Sequence, residues 1–96
     1  MILQDYCRSK GKRTNMEEYL RTYCEIDLKA IRENYINIKK KTGDKAMTMA
    51  VIKADGYGHG AVEVAHYLSD IADYFGVATS DEGVELRKAG LKQPIL

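Results

Sequence analysis

The sequence predicts an α/β fold. Three observations carry it: strand-like and helix-like segments alternate along the chain, the connections between them are short, and successive units recur at a regular spacing. Lys53 and Thr79, at the ends of two strand candidates, lie 26 positions apart. That is close to the ~30 residues per strand-helix unit of a barrel that spreads about 250 residues over eight units. A doubly wound parallel sheet uses similar spacing, so spacing alone leaves both architectures open.

The elements follow in order. Residues 1–22 read as a loose polar leader, with Arg8, Lys10, Lys12 and Arg13 around Gly11 and no amphipathic period. Tyr23 to Asp27 alternates weakly, as a short strand does, and Asp27 offers a side-chain oxygen to the free N–H groups of a helix starting at Leu28. Leu28, Ile31, Tyr35 and Ile38 share one helical face, Lys39, Lys40 and Lys41 sit where the carbonyl end of the dipole favours cations, and Gly43 ends the helix. Ala46 to Ile52 lacks polar alternation and reads as a strand buried on both faces. A second helical stripe runs through Ala61, Val64, Ala65, Leu68, Ile71 and Ala72, and Tyr74 to Thr79 is the next strand. Ser80 is positioned to cap a third helix with Asp81 and Glu82 in its first turn, Arg87 and Lys88 in its last, and Gly90 beyond. Pro94-Ile95-Leu96 opens a further strand, which makes the chain read as the front piece of something larger.

Composition narrows the function classes. At 96 residues the chain has room for one domain, and 15 basic against 14 acidic side chains leave a net charge of +1. Such a balance supplies no field for a phosphate backbone or an anionic membrane surface, so neither nucleic acid nor membrane is an expected partner. The longest apolar stretch, Ala46 to Ile52, is interrupted by Thr48 and falls far short of the ~20 residues of a spanning helix. The start MILQDYCRSKGKRTN lacks the layout of a secretory signal, so a cytoplasmic location is expected. Cys7 and Cys24 read as free thiols, and no metal site is expected, since no CxxC pair occurs and the spacing of His59 and His66 suits no standard pair.

Two chemistries compete for the segment AVIKADGYGHGA, residues 50–61. Gly56, Gly58 and Ala61 fit G-x-G-x-x-A between a strand and a helix, and Asp81 follows 20 residues after Ala61, where an acid can bind a ribose. Against this dinucleotide reading, Lys53-Ala54-Asp55 separates the strand from the first glycine. The other reading centres on Lys53. Met47, Met49, Val51 and Lys53 share a strand face, so an apolar row ends in one amine at the carboxyl edge of the sheet, where the active sites of α/β folds collect. A partly desolvated lysine there is a nucleophile able to condense with an aldehyde such as pyridoxal phosphate, whereas an ordinary strand-end lysine is simply solvated.

The run AVIKADGYGHGA, preceded by EIDLKAIRENY and followed by FGVATSDEGVELRKAG, resembles the beginning of alanine racemase from about Tyr23 through Leu96. The resemblance implies the first part of a (β/α)8 TIM barrel, about three barrel strands with flanking helices and so incomplete, with the strand before Lys53 as the first barrel strand. It also implies pyridoxal 5'-phosphate as cofactor, Lys53 as both the imine-forming lysine and one of two acid-base groups, and Tyr57 as a contact of the cofactor phosphate. A helix amino end close by would suit the same anion. His59 is expected as a structural hydrogen-bonder. The family reaction is interconversion of L-alanine and D-alanine by α-proton removal and return, supplying cell-wall precursors, with a homodimer as the full-length state. The second base, a tyrosine of the partner subunit's later domain, is not reached by this sequence, so the chain by itself is expected to be inactive. A dinucleotide-binding module and a non-catalytic remnant stand as alternatives.

Overall fold

The computed structural model describes residues 24–96. The leader expected over 1–22, with Cys7, and Tyr23 lie outside the described residues. Of the strand expected at Tyr23 to Asp27, only Glu25 holds a bridge position. Cys24 is an exposed free thiol.

Helix α1 (Leu28–Thr42) starts where Asp27 accepts a hydrogen bond from the Ala30 N–H at 3.0 Å, satisfying one of the donors a helix start leaves free. Lys39, Lys40 and Lys41 occupy its last turn, and Gly43, at φ +74°, closes it. Leu28 is buried, and Ile31 and Tyr35 pack against the core, but Ile38 stays 56% exposed.

Strands β1 (Met49–Val51) and β2 (Tyr74–Gly76) pair in parallel, with Met49 opposite Tyr74, Ala50 opposite Phe75 and Val51 opposite Gly76. On the far side of β2, Phe75 and Ile95 form a parallel bridge, held by Phe75 N–H to the Pro94 carbonyl and Leu96 N–H to the Phe75 carbonyl, each at 2.9 Å. The third strand thus begins beside the second.

Helix α2 (Ala61–Leu68) crosses between the strands and buries Ala61, Val64, Ala65 and Leu68. Ile71 and Ala72, read from the sequence as part of its stripe, instead lie in a turn, both donating to the Leu68 carbonyl while the chain bends into β2. Helix α3 (Ser80–Lys88) is capped by Thr79 rather than Ser80. Thr79 Oγ1 accepts the Glu82 N–H at 3.3 Å and Glu82 Oε2 accepts the Thr79 N–H at 3.2 Å, a reciprocal capping box that Ser80 is one residue too late to close.

The core lies between the sheet and the helices. Phe75 and Leu86 are its fully buried large side chains. The expectation that the first strand is buried on both faces is corrected: Ala50 and Ile52 face the helices and are buried, whereas Met49 and Val51 are each 46% exposed. Strand side chains alternate in direction, and among the described residues only one face of β1 carries a covering layer.

Two polar anchors hold α1 to the rest. The Arg32 guanidinium pairs with both Asp70 oxygens at 2.6 and 2.7 Å and donates to the Tyr67 carbonyl at 2.6 Å. That pairing draws the Asp70 carboxyl down to about 2. At the amino end of β1, Asp73 Oδ2 accepts the Thr48 N–H at 2.7 Å and hydroxyl at 3.1 Å, with Lys39 Nζ at 3.5 Å, while the Tyr35 hydroxyl donates to Thr48 Oγ1 at 2.7 Å. The Thr48 backbone donor, then its hydroxyl and the Lys39 charge, hold Asp73 below the ordinary carboxylate range.

Candidate active site

The carboxyl end of β1 is where sequence and structure meet. Ile52 extends the ladder by donating to the Gly76 carbonyl at 2.8 Å, and Lys53 follows it. Met49 and Val51 are partly open, Ala50 and Ile52 are buried, and Lys53 is exposed in phase with the open pair.

After Lys53 the chain coils left-handed. Ala54 (φ 52°, ψ 49°), Asp55 (φ 54°, ψ 45°) and Gly56 (φ 63°, ψ 38°) lie in the left-handed region, and Tyr57 continues at φ 56°. Each L-residue held there costs about 1–2 kcal/mol, a cost Gly56 escapes and Asp55 tolerates better than Ala54 or Tyr57. Hydrogen bonds offset the strain: Gly56 N–H reaches the Ile52 carbonyl at 2.9 Å, Gly58 N–H the Ala54 carbonyl at 3.1 Å, and Gly60 N–H the Asp55 carbonyl at 2.8 Å. The Asp55 side chain closes the turn onto α2, its Oδ1 accepting the Ala61 N–H at 2.9 Å. His59 Nδ1 lies 3.0 Å from the Gly56 carbonyl and 3.2 Å from the Tyr57 carbonyl. Both neighbours are acceptors, so Nδ1 carries the proton and His59 braces the turn.

This geometry disposes of the glycine-rich dinucleotide reading. The amino end of α2, where a pyrophosphate would sit, is occupied by the Asp55 carboxylate, which takes the Ala61 N–H and brings a negative charge of its own. Gly56 and Gly58 shape the left-handed turn rather than an open phosphate loop, and Asp81 is an exposed residue in the first turn of α3. At the same helix end, expected to suit an anion beside Tyr57, the Ala61 N–H is already taken by Asp55.

Tyr57 is 58% exposed. It lines an open groove of about 600 Å³ along β1, together with Ile31, Tyr35, Ile38, Met49 and Val51.

Sequence reasoning missed Glu82, which it placed only as an acid in a first helical turn. Its Oε1 accepts the Ala54 N–H at 2.8 Å, and its Oε2 accepts the N–H groups of Ala78 at 2.7 Å and Thr79 at 3.2 Å. The Ala78 and Ala54 donors, then Thr79 and the nearby Lys53 charge, hold its carboxyl below the ordinary range. The Thr79-x-x-Glu82 spacing announces the capping half of this arrangement. Nothing local announces the bond to Ala54.

A parallel strand-helix wall with an exposed lysine at the carboxyl end of its first strand is the arrangement with which an α/β barrel opens. Comparison with known proteins makes the class specific. Residues 26–96 match the family model for the alanine racemase N-terminal domain, and the chain belongs to that family. Similar proteins include the catabolic alanine racemase of Pseudomonas aeruginosa, 56% identical over 71 residues, covering 74% of this chain and 19% of that protein. Alanine racemase 1 of Bacillus subtilis is 51% identical over 79 residues, covering 81% of this chain and 20% of its own length. Among solved structures, alanine racemase of Clostridium difficile superposes with a TM-score of 0.70 at 48% identity, covering 73% of this chain and 19% of that one. The chain therefore spans about a fifth of the length of these relatives. The architecture is the start of a TIM barrel.

Proposed function

We propose that residues 23–96 form the amino-terminal part of a pyridoxal-phosphate-dependent alanine racemase, with Lys53 as the lysine that carries the cofactor. The observation behind this reading is the exposed amine at the carboxyl end of β1, in phase with Met49 and Val51, in a chain of this family. The donor set fits the cofactor: an aldehyde needs an accessible primary amine, which Lys53 offers, and a phosphate needs donors, of which the exposed Tyr57 hydroxyl is one. When bound, pyridoxal phosphate supplies an electron-withdrawing ring that stabilises the carbanion left by loss of an amino acid's α-proton. Lys53 holds the cofactor and takes or returns that proton at Nζ on one face. Tyr57 orients the phosphate through its hydroxyl, and His59 and Asp55 keep the intervening turn in shape.

Inversion at carbon needs a second acid-base group on the opposite face. In this reading it comes from a partner subunit, so the working unit is a homodimer. The substrate is alanine, with D-alanine for the cell wall as product and the cytoplasm as location. These 96 residues alone are expected to show negligible racemase activity.

The test is a pyridoxal phosphate titration of the chain, followed by borohydride reduction and peptide mapping, with Lys53→Ala alongside. Preferential labelling of Lys53 over other exposed lysines such as Lys40 and Lys45 is expected, and its loss in Lys53→Ala without new labelling elsewhere. Labelling spread evenly over all exposed lysines sinks the assignment.

A further inference from the structure

We propose that Glu82 is a positioning residue for Lys53, its carboxylate bolting the carboxyl ends of β1 and β2 together. The inference rests on the reading of Lys53 as the cofactor lysine and extends it to a residue that reading does not use.

A helix cap accounts for only part of what Glu82 does. Closing the capping box requires one bond, from the Glu82 side chain to the Thr79 N–H at 3.2 Å. The two shorter bonds, to Ala78 at 2.7 Å and Ala54 at 2.8 Å, serve no cap. Ala78 lies two residues beyond β2, and Ala54 lies three beyond β1. One carboxylate thus satisfies backbone donors from the ends of two adjacent strands, 28 positions apart in the Ala54 bond.

The Ala54 bond is the one that matters for chemistry. Its N–H belongs to the peptide that joins Lys53 to Ala54, so fixing that N–H fixes the peptide plane on which the Lys53 backbone depends. Ala54 is also a non-glycine residue at φ 52°, the first to enter the left-handed turn, and such a residue needs a partner to hold it there. A carboxylate accepting from a backbone N–H makes a charge-assisted bond, stronger than a neutral one. Glu82 therefore acts on the direction of the amine through the backbone.

The test compares the wild-type chain with Glu82→Ala, Glu82→Gln and Thr79→Ala. Two readouts are taken: amide hydrogen exchange at Ala54 and Ala78, and the preference of Lys53 for pyridoxal phosphate after borohydride trapping. Thr79→Ala frays the start of α3 but leaves the carboxylate, so it separates capping from positioning. Glu82→Ala is expected to speed exchange at Ala54 and Ala78 on the order of tenfold and to cut the Lys53 preference about fivefold or more, with Thr79→Ala changing either by less than about twofold. Glu82→Gln keeps the reach and one acceptor oxygen, so it falls between wild type and alanine, and it carries the test if Glu82→Ala does not fold. An unchanged Lys53 preference in the Glu82 variants, or an equal loss in Thr79→Ala, overturns the positioning role while the cofactor reading stands. Absence of any Lys53 preference in the wild-type chain overturns the cofactor reading, and the positioning role with it.

Discussion

Replacing Gly56 by alanine puts the left-handed turn to its hardest local test. Gly56 sits at φ 63°, and a Cβ built there would stand 3.2 Å from the Ala61 nitrogen and 3.4 Å from the Ala61 Cα. The conformation alone costs an L-residue about 1–2 kcal/mol. Stiffening the unfolded chain offsets about 0.4–1 kcal/mol of that. The Ala61 nitrogen is backbone and is the donor to Asp55 Oδ1, so relieving the contact stretches the cap on α2, a bond of a kind worth about 1 kcal/mol. The net loss is expected near 1.5 kcal/mol, or a fall in melting temperature of roughly 6–12 °C for a chain of this size. Gly58, at φ 84°, has open space around the added Cβ and is expected to lose less, from the conformation alone. Gly76→Ala meets chiefly the Met49 sulfur at 3.0 Å, the mobile end of a flexible side chain, and is expected to be close to neutral. Chemical denaturation followed by circular dichroism ranks the three. Gly56→Ala matching wild type, or proving milder than Gly58→Ala, would refute the left-handed turn and its link to the α2 cap.

Acid should loosen α1 in a definite window. The Asp70 carboxyl is lowered from 3.8 to about 2 by its hydrogen bonds to Arg32, so the stability it contributes is present above about 3.8 and is lost as pH falls toward 2. Asp73 is lowered too and adds in the same direction, so a denaturation series from pH 5 to pH 2 should show falling stability, with a shallower slope in Asp70→Asn. An identical slope in that variant would remove the pair from the account. Phe75→Ala, at a fully buried position in β2, should cost about 3–5 kcal/mol and leave little folded protein by near-ultraviolet circular dichroism. Asp27→Ala removes the α1 cap and should lower stability, read as faster amide exchange at Ala30.

Residues 24–96 divide by the range over which each feature is decided. The ends of helix α1 were legible, because its cap acts across three residues, its lysines answer the local dipole and Gly43 stops it, all within one segment. Helix α3 was placed with its cap one residue late, since Thr79 and Ser80 are both able caps and only the reciprocal bond to Glu82 selects between them. The position of Lys53 after β1 followed from apolar patterning, and the family from the unbroken run around it.

The sequence by itself therefore determined the alternation of elements, both ends of α1 and the amine at the edge of the first strand, since each depends on neighbours within about one helical turn. Only the tertiary structure decided the left-handed path through Ala54 and Tyr57, the Asp55 carboxylate on the Ala61 N–H at the start of α2, and the burial of Ala50 and Ile52 against the helices. Positive φ at a residue with a side chain is locally unfavourable, so no nearby pattern calls for it. It is sustained by bonds within residues 52–60 together with one from a distant element, the Glu82 carboxylate on the Ala54 N–H, which depends on α3 packing beside the end of β1.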